Sequence, residues 1–486
     1  MKTTQITPLQ LQNLHTAKQQ SILTAAASRK RLFMAEKISS DSVNGGSQTE
    51  FSNSKQSGEK EAEISSAEKK EGSQTGFFST RTEGIGGQIK RRYSDFVVEE
   101  VQRNGTVCKV ERFADNGTHL EERLIVPENK KGEEQLLLDL EKINCDLNFC
   151  ISKITRFLQC SRKRIGYAGM KDKRAVTSQR ISIFNPDLLR LQQFGSRGMQ
   201  LRNPEWSNER IDLGMLKGNS FTITIRDIAL DEKELRKRIK ACFKEMRPGI
   251  ANYFGEQRFG GIREITHLVG REFAKGNANQ AVMLYLAKAD EREEEDIKSA
   301  RKQLAATGDF SEATKLFPVK YRYERAIIHH LCKYPNDFVG AFGKLPKQLR
   351  YLFTHAYQSY LFNKVIDERF RQGIGLKKVK GDILIEKQPS AALFGFESIL
   401  AEGKAGEIEE KVLLEEGIEL QNFKVKQMPE LSSKGARRSI VMQPKKMKLL
   451  KISQDEFYPG KICATVSFEL PKGTYATTVL REMMKN

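Results

Sequence analysis

Ile165–Ile183 reads IGYAGMKDKRAVTSQRISI, in which the small pair Ala168–Gly169 and a single acid, Asp172, precede a strand-like run, Gln179–Phe184. Four cations, Lys171, Lys173, Arg174 and Arg180, crowd that acid in sequence. Nearby positive charge favours the ionised form of a carboxylate. An ionised aspartate beside a polyanionic substrate can serve as a nucleophile. The same spacing also describes a solvated Lys-Asp-Lys turn, and spacing by itself does not choose between the two.

The whole chain shares the basic character of this stretch. Its 486 residues carry 82 Lys and Arg against 62 Asp and Glu, a formal net charge of +20. That balance suits a polyanionic partner, although charge alone leaves RNA, DNA and anionic membrane open. No apolar run reaches the length of a membrane span, and the first residues lack the apolar core and cleavage site of a signal peptide. A cytoplasmic chain with no membrane partner is expected. None of the 7 cysteines forms a CxxC pair, and Cys145, Cys150 and Cys160 do not have zinc spacing. His329–His330 has no third ligand at metal spacing, so no metal is expected. GxGxxG and GxxxxGK[ST] phosphate loops are also missing.

Residues 1–76 read as an N-terminal extension. Ser40–Gln74 is rich in Ser, Gly, Lys and Glu and is expected to be a disordered linker, while Leu9–Ile38 could form a helix. From Ile85 onward, strand and helix patterns alternate. Phe96–Val101 reads as a strand with Thr106–Phe113 as its partner. Phe221, Ile223 and Ile225 alternate with Thr222, Thr224 and Arg226, and Ile462–Leu470 repeats that period of two. Leu235, Ile239 and Phe243 mark one face of a helix, as do Ile151, Ile154 and Leu158, and again Phe353, Tyr357, Leu361 and Val365. Glu291–Ala305 reads as an exposed, charged helix, and Thr474 as the cap of a last helix.

Several blocks together carry a family resemblance. The Asp172 stretch resembles the AG-x-KD-x-x-AVT-x-Q signature of the TruD family of RNA pseudouridine synthases. Gly84–Lys90 followed by Asp95–Glu100 is similar to that family's N-terminal opening, and Leu213–Phe221 to its GxLxGNxF strand. Asn252–Gly260, NYFGEQRFG, matches NYFG-x-QRFG. Ala356–Asn363 and Leu470–Thr477, continuing through Arg481 and Glu482, resemble two later blocks. The order is the family's, and the His329–Asn363 region resembles its archaeal and eukaryotic branch.

The resemblance implies an α+β fold. It would consist of a pseudouridine synthase catalytic fold with a mixed, largely antiparallel sheet, plus an inserted, family-specific α+β domain facing it across a cleft. The expected boundaries are 77–274 and 444–486 for the discontinuous catalytic domain and 275–443 for the insert.

It also implies a reaction: isomerisation of uridine to pseudouridine, at position 13 of tRNA, with other RNAs as further substrates. Breaking N1–C1′, turning the base and joining C5 to C1′ needs no redox partner or phosphate donor, so no cofactor is expected. No obligatory protein partner is expected either. By resemblance Asp172 is the essential carboxylate, attacking C1′ or abstracting the C2′ proton. Extruding a base costs a few kcal/mol, and stacking on an aromatic ring returns about 1–3 kcal/mol. Phe254 is the ring expected against the uracil. Asn252 is expected to read a base edge or orient Asp172, and Lys90 to meet a phosphate or the carboxylate. Gln179 and Arg258 either support the site or hold two motifs together. The basic runs 162–164, 437–438 and 445–448 are expected to share in phosphate contact. The competing reading is a catalytically inactive RNA-binding or RNA-chaperone homologue.

Overall fold

The structure, a computed structural model, describes residues 77–113, 124–129 and 131–486. The expected N-terminal extension lies outside them. Thirteen strands are described: β1 Phe96–Gln102, β2 Gln135–Ile143, β3 Ile165–Tyr167, β4 Val176–Phe184, β5 Met199–Ser207, β6 Leu216–Ile228, β7 Ile250–Ala251, β8 Leu384–Ile385, β9 Gln388–Leu393, β10 Ala436–Ser439, β11 Val441–Met442, β12 Lys445–Gln454 and β13 Ile462–Pro471.

Eight of them make one sheet in the order β12-β13-β6-β1-β4-β2-β5, with β3 pairing alongside β4. Every pairing is antiparallel except β1 with β4. Side chains alternate across a strand, so Phe221, Ile223 and Ile225 of β6 fall on one face with Ala464, Val466 and Phe468 of β13, all buried. The Glu232–Met246 helix brings Leu235, Ile239 and Phe243 to that core, and the Ala476–Met484 helix adds Val479, Leu480 and Met483.

On the other half of the sheet, the Leu147–Phe157 helix buries Ile151 and Ile154 against Leu136, Leu138 and Leu140 of β2 and Ile181 and Ile183 of β4. Asp146 caps this helix by accepting from the amides of Asn148 and Phe149.

Between β7 and β10 the chain is mostly helical. Its longest element, Lys347–Arg371, buries Phe353, Tyr357, Leu361 and Val365, the expected stripe. It crosses the Thr266–Ala274 helix so closely that a Cβ on Gly270 would stand 2.1 Å from the Phe353 carbonyl oxygen. Only a glycine fits there. A three-stranded sheet, β10-β9-β8, covers the far side, and the β11–β7 pair ties this region back to the large sheet's helices.

Three local expectations are corrected. Thr106–Phe113 is not a strand. Beyond a single bridge between Val107 and Val101, its amides bond carboxylates: Val110 donates to Glu99, and Glu111, Arg112 and Phe113 donate to Glu141. Those two acids replace the ladder partner an added strand would need. Thr474 does not cap the last helix, because its hydroxyl donates to the Pro471 carbonyl at 2.7 Å and Tyr475 takes the cap position. The charged helix begins at Glu295 and is not wholly exposed, since Ile297, Ala300, Arg301 and Leu304 are buried along it.

Candidate active site

β3 and β1 lie on the same side of β4, against its second and first halves respectively. The 168–175 loop runs from β3 to β4 across the place where one neighbour gives way to the other. Four contacts pin it. Gln179 Nε2 donates to the Gly169 carbonyl at 3.0 Å, and Gly214 N to the Ala168 carbonyl at 2.8 Å. Lys171 is buried and its Nζ sits 2.6 Å from Glu100 Oε2. Lys142 Nζ, rising from β2, donates to the Asp172 backbone carbonyl at 2.8 Å. Burial pushes the Glu100 carboxyl up from its usual range, with Lys171 opposing that shift, and pushes the Lys142 ammonium down.

This scaffold leaves the Asp172 side chain 41% exposed, with Lys90 Nζ 2.9 Å from Oδ2. The Lys90 side chain is mostly buried, and its ammonium lies 4.1 Å from the Phe96 ring centroid. Lys90 has φ of +60°, a left-handed conformation that non-glycine residues seldom hold and that tends to persist at functional sites. Just ahead of it, Gly87 at φ +95° runs against the Arg226 carbonyl, where a Cβ would stand 2.6 Å away.

The cations that crowd Asp172 in sequence therefore do not surround it in space. Lys171 turns to Glu100, Arg180 pairs with Asp139 and Glu205, and Lys173 and Arg174 are exposed. The charge partner comes from Lys90, 82 residues upstream.

Asn252 and Phe254 form a second group. Asn252 is buried; its Nδ2 donates to the Ser439 carbonyl and its Oδ1 accepts from Arg438 at 2.6 Å. The Asn363 side chain clamps Phe254, accepting from its amide at 2.9 Å and donating to its carbonyl at 3.0 Å. The Phe254 ring is 7% exposed. Phe362 meets it edge-on at 5.5 Å, Tyr475 lies 5.9 Å away, and the Arg438 guanidinium sits 4.2 Å from its centroid. Arg258 stands 5.7 Å from the same ring and donates to Ser359 Oγ. Among the described residues no hydrogen bond or ion pair joins Asp172 to Asn252 or Phe254. The structure sets Lys90 against Asp172, one of the two partners the sequence reading left open for it. That reading misses Lys142, Glu100 and Asn363 as supports, and it places Arg438 only in a basic run expected to share in phosphate contact, not against Asn252 and Phe254. Sequence distance is the reason, since Asn363 lies 109 residues from Phe254 and Arg438 lies 186 from Asn252.

Together, an α+β fold with one mixed sheet, an exposed carboxylate held by a lysine and a strongly basic chain fit the class of enzymes that act on a polyanion. The family model described as tRNA pseudouridine synthase D (TruD) matches residues 74–391 and 385–483. "Probable tRNA pseudouridine synthase D" of Methanosarcina acetivorans is 38% identical over 84% of this chain and 95% of its own length. The protein of the same name from Methanococcoides burtonii is 38% identical over the same shares. The crystal structure from Methanosarcina mazei that carries the name tRNA pseudouridine synthase D (TruD) superposes with a TM-score of 0.68 at 35% identity, covering 84% of this chain and 96% of that one. The chain belongs to the TruD family of tRNA pseudouridine synthases, which are isomerases.

Proposed function

We propose that this enzyme isomerises uridine to pseudouridine at position 13 of tRNA, with Asp172 as the carboxylate that acts on the ribose. The carrying observation is the Lys90–Asp172 contact at 2.9 Å on a loop fixed from four directions. It presents a half-exposed carboxylate in one orientation, and pre-set geometry is what lets a reacting group contribute most to rate. Lys90 orients the carboxylate and balances its charge before substrate arrives. Phe254 forms the aromatic wall of the base pocket, and Asn252 supports that wall by fixing Arg438. Pseudouridine formation proceeds by attack at C1′ or by proton abstraction at C2′, and either route uses the Asp172 carboxylate.

We also propose that residues 77–274 and 444–486 form a discontinuous catalytic domain around the large sheet, with 275–443 as the insert. The cytoplasm is the compartment proposed for the reaction. Among the described residues, no helix is long and apolar enough to cross a membrane.

Asp172→Asn keeps the size of the side chain and removes its charge. The variant is expected to lose pseudouridine formation on unmodified tRNA in a single-turnover assay while tRNA binding survives. Full activity in the purified variant would remove Asp172 from the reaction.

A further inference from the structure

Arg258 and Arg438 flank the Phe254 ring, at 5.7 and 4.2 Å from its centroid. Among the described residues, fully buried guanidiniums such as Arg226, Arg301 and Arg369 have carboxylates: Arg226 has Asp95 and Asp455, Arg301 has Glu293 and Glu324, and Arg369 has Asp382. These two differ. Among the described residues neither makes an ion pair. Arg258 donates only to Ser359 Oγ at 3.1 Å. Arg438 donates to the Gly473 carbonyl at 2.7 Å and to the Oδ1 and carbonyl of Asn252, all neutral acceptors. Burial holds the Arg438 guanidinium down to about 10, and Arg258 beside it pushes the same way. Burial also lowers Arg258. Removing charge from water without an opposing charge is unfavourable, and two like charges together compound that. Both side chains remain partly accessible, and the 37% exposed Tyr475 ring lies next to them, 6.0 Å from the Arg438 guanidinium.

We infer that Arg258 and Arg438 form an anion site beside Phe254 that takes a backbone phosphate of the bound RNA. Guanidinium donors suit phosphate oxygens geometrically, and the missing counter-charge is the one the substrate carries. The inference rests on the tRNA-modifying reading above. It goes beyond that reading by fixing where the RNA backbone passes the base pocket.

The test uses the full chain and unmodified tRNA, with Arg258→Gln, Arg438→Gln and the matching lysine variants. Affinity is measured across a salt series, and circular dichroism confirms folding. Each glutamine variant is expected to bind roughly tenfold more weakly at moderate salt and to make the fall of log K with log salt shallower, by up to about one unit of slope for the single phosphate the two arginines share. The lysine variants should keep most of the slope. Free Arg258→Gln should melt no lower than the parent, because it sheds an uncompensated charge.

Parental slopes in both folded glutamine variants would overturn the site. Inorganic phosphate that protects the parent thermally but not the variants, combined with unchanged RNA slopes, would make it a free-anion site and overturn the RNA assignment. Parent activity on the same tRNA is read separately. An inactive parent with variant-dependent slopes sinks the catalytic reading and keeps the phosphate site. An active parent with unaltered slopes does the reverse.

Discussion

At the scale of single residues, the candidate site depends on two lysines doing different work around one aspartate. Lys90 faces the carboxylate, and Lys142 holds the backbone carbonyl of the same residue. Lys90→Met removes the ion-pair partner the carboxylate has among the described residues and frees it to rotate. A misplacement of about 1 Å can cost roughly 100-fold in rate, so a loss of that order in single-turnover conversion is expected, with tRNA affinity changed far less. Lys90→Arg keeps the charge but not the fit over Phe96, and should fall between the two. An equal loss in affinity and rate would point instead to a phosphate contact. The Glu100–Lys171 pair is buried on both sides. Glu100→Gln leaves a buried ammonium without its counter-charge, which typically costs about 3–5 kcal/mol. The expected result is a lower denaturation midpoint, with activity lost as the loop loosens.

Elements show where sequence reading succeeds and where it stops. Period-two runs such as 221–226 and 462–470 become β6 and β13 because the apolar face is buried while most of the other face, Thr222 and Thr224 included, is only partly so. The Phe353–Val365 stripe becomes a helix for the matching reason at its own period. Thr106–Phe113 looks as strand-like as Phe96–Val101, but its amides bond Glu99 and Glu141, and local pattern carries no trace of a distant carboxylate. Residues of the site were legible only through motif resemblance, whereas Asn363, Lys142 and Arg438 depend on contacts that no local spacing encodes.

The long helix also carries a pH-dependent contact. Asp367, on Lys347–Arg371, accepts from the Tyr253 hydroxyl at 2.8 Å, and burial raises its carboxyl to about 6 despite Arg371, Arg481 and Lys364 nearby. A raised folded value means the native state holds the proton longer than the unfolded chain. Between roughly pH 4 and 6, Asp367 therefore makes stability fall as pH rises, and its contribution is flat above that window. Asp367→Asn should remove this slope, so the melting curves of variant and parent should diverge most above pH 6. Parallel pH profiles would show that Asp367 titrates normally.

For the whole molecule, the question is how one sheet is assembled from strands hundreds of residues apart. β6 finds β13 across the entire helical region, and the last helix then closes the hydrophobic core with Val479, Leu480 and Met483. Burial alone does not fix where the first described residues meet the last. Glu482, fully buried, does so with hydrogen bonds. Its carboxylate accepts from the amides of Ser79 and Thr80 and from the Thr80 hydroxyl, at 2.9–3.0 Å. Lys485 adds donations to the carbonyls of Thr80 and Thr82, and Arg481 lies 4.1 Å from the Phe78 ring centroid. The family block that ends in Arg481 and Glu482 is therefore a clasp between the two ends of the described chain, and none of these contacts reaches Asp172. Glu482→Ala strands the buried donors of Thr80, each costing about 1–3 kcal/mol, and the half-buried Ser79 amide, while Glu482→Gln keeps an acceptor and should recover part of the loss. The expected outcome is a clear drop in melting temperature for the alanine variant, a smaller one for glutamine, and near-parental turnover per folded molecule in both at low temperature. Turnover that falls while stability holds would move Glu482 out of the clasp and into the reaction.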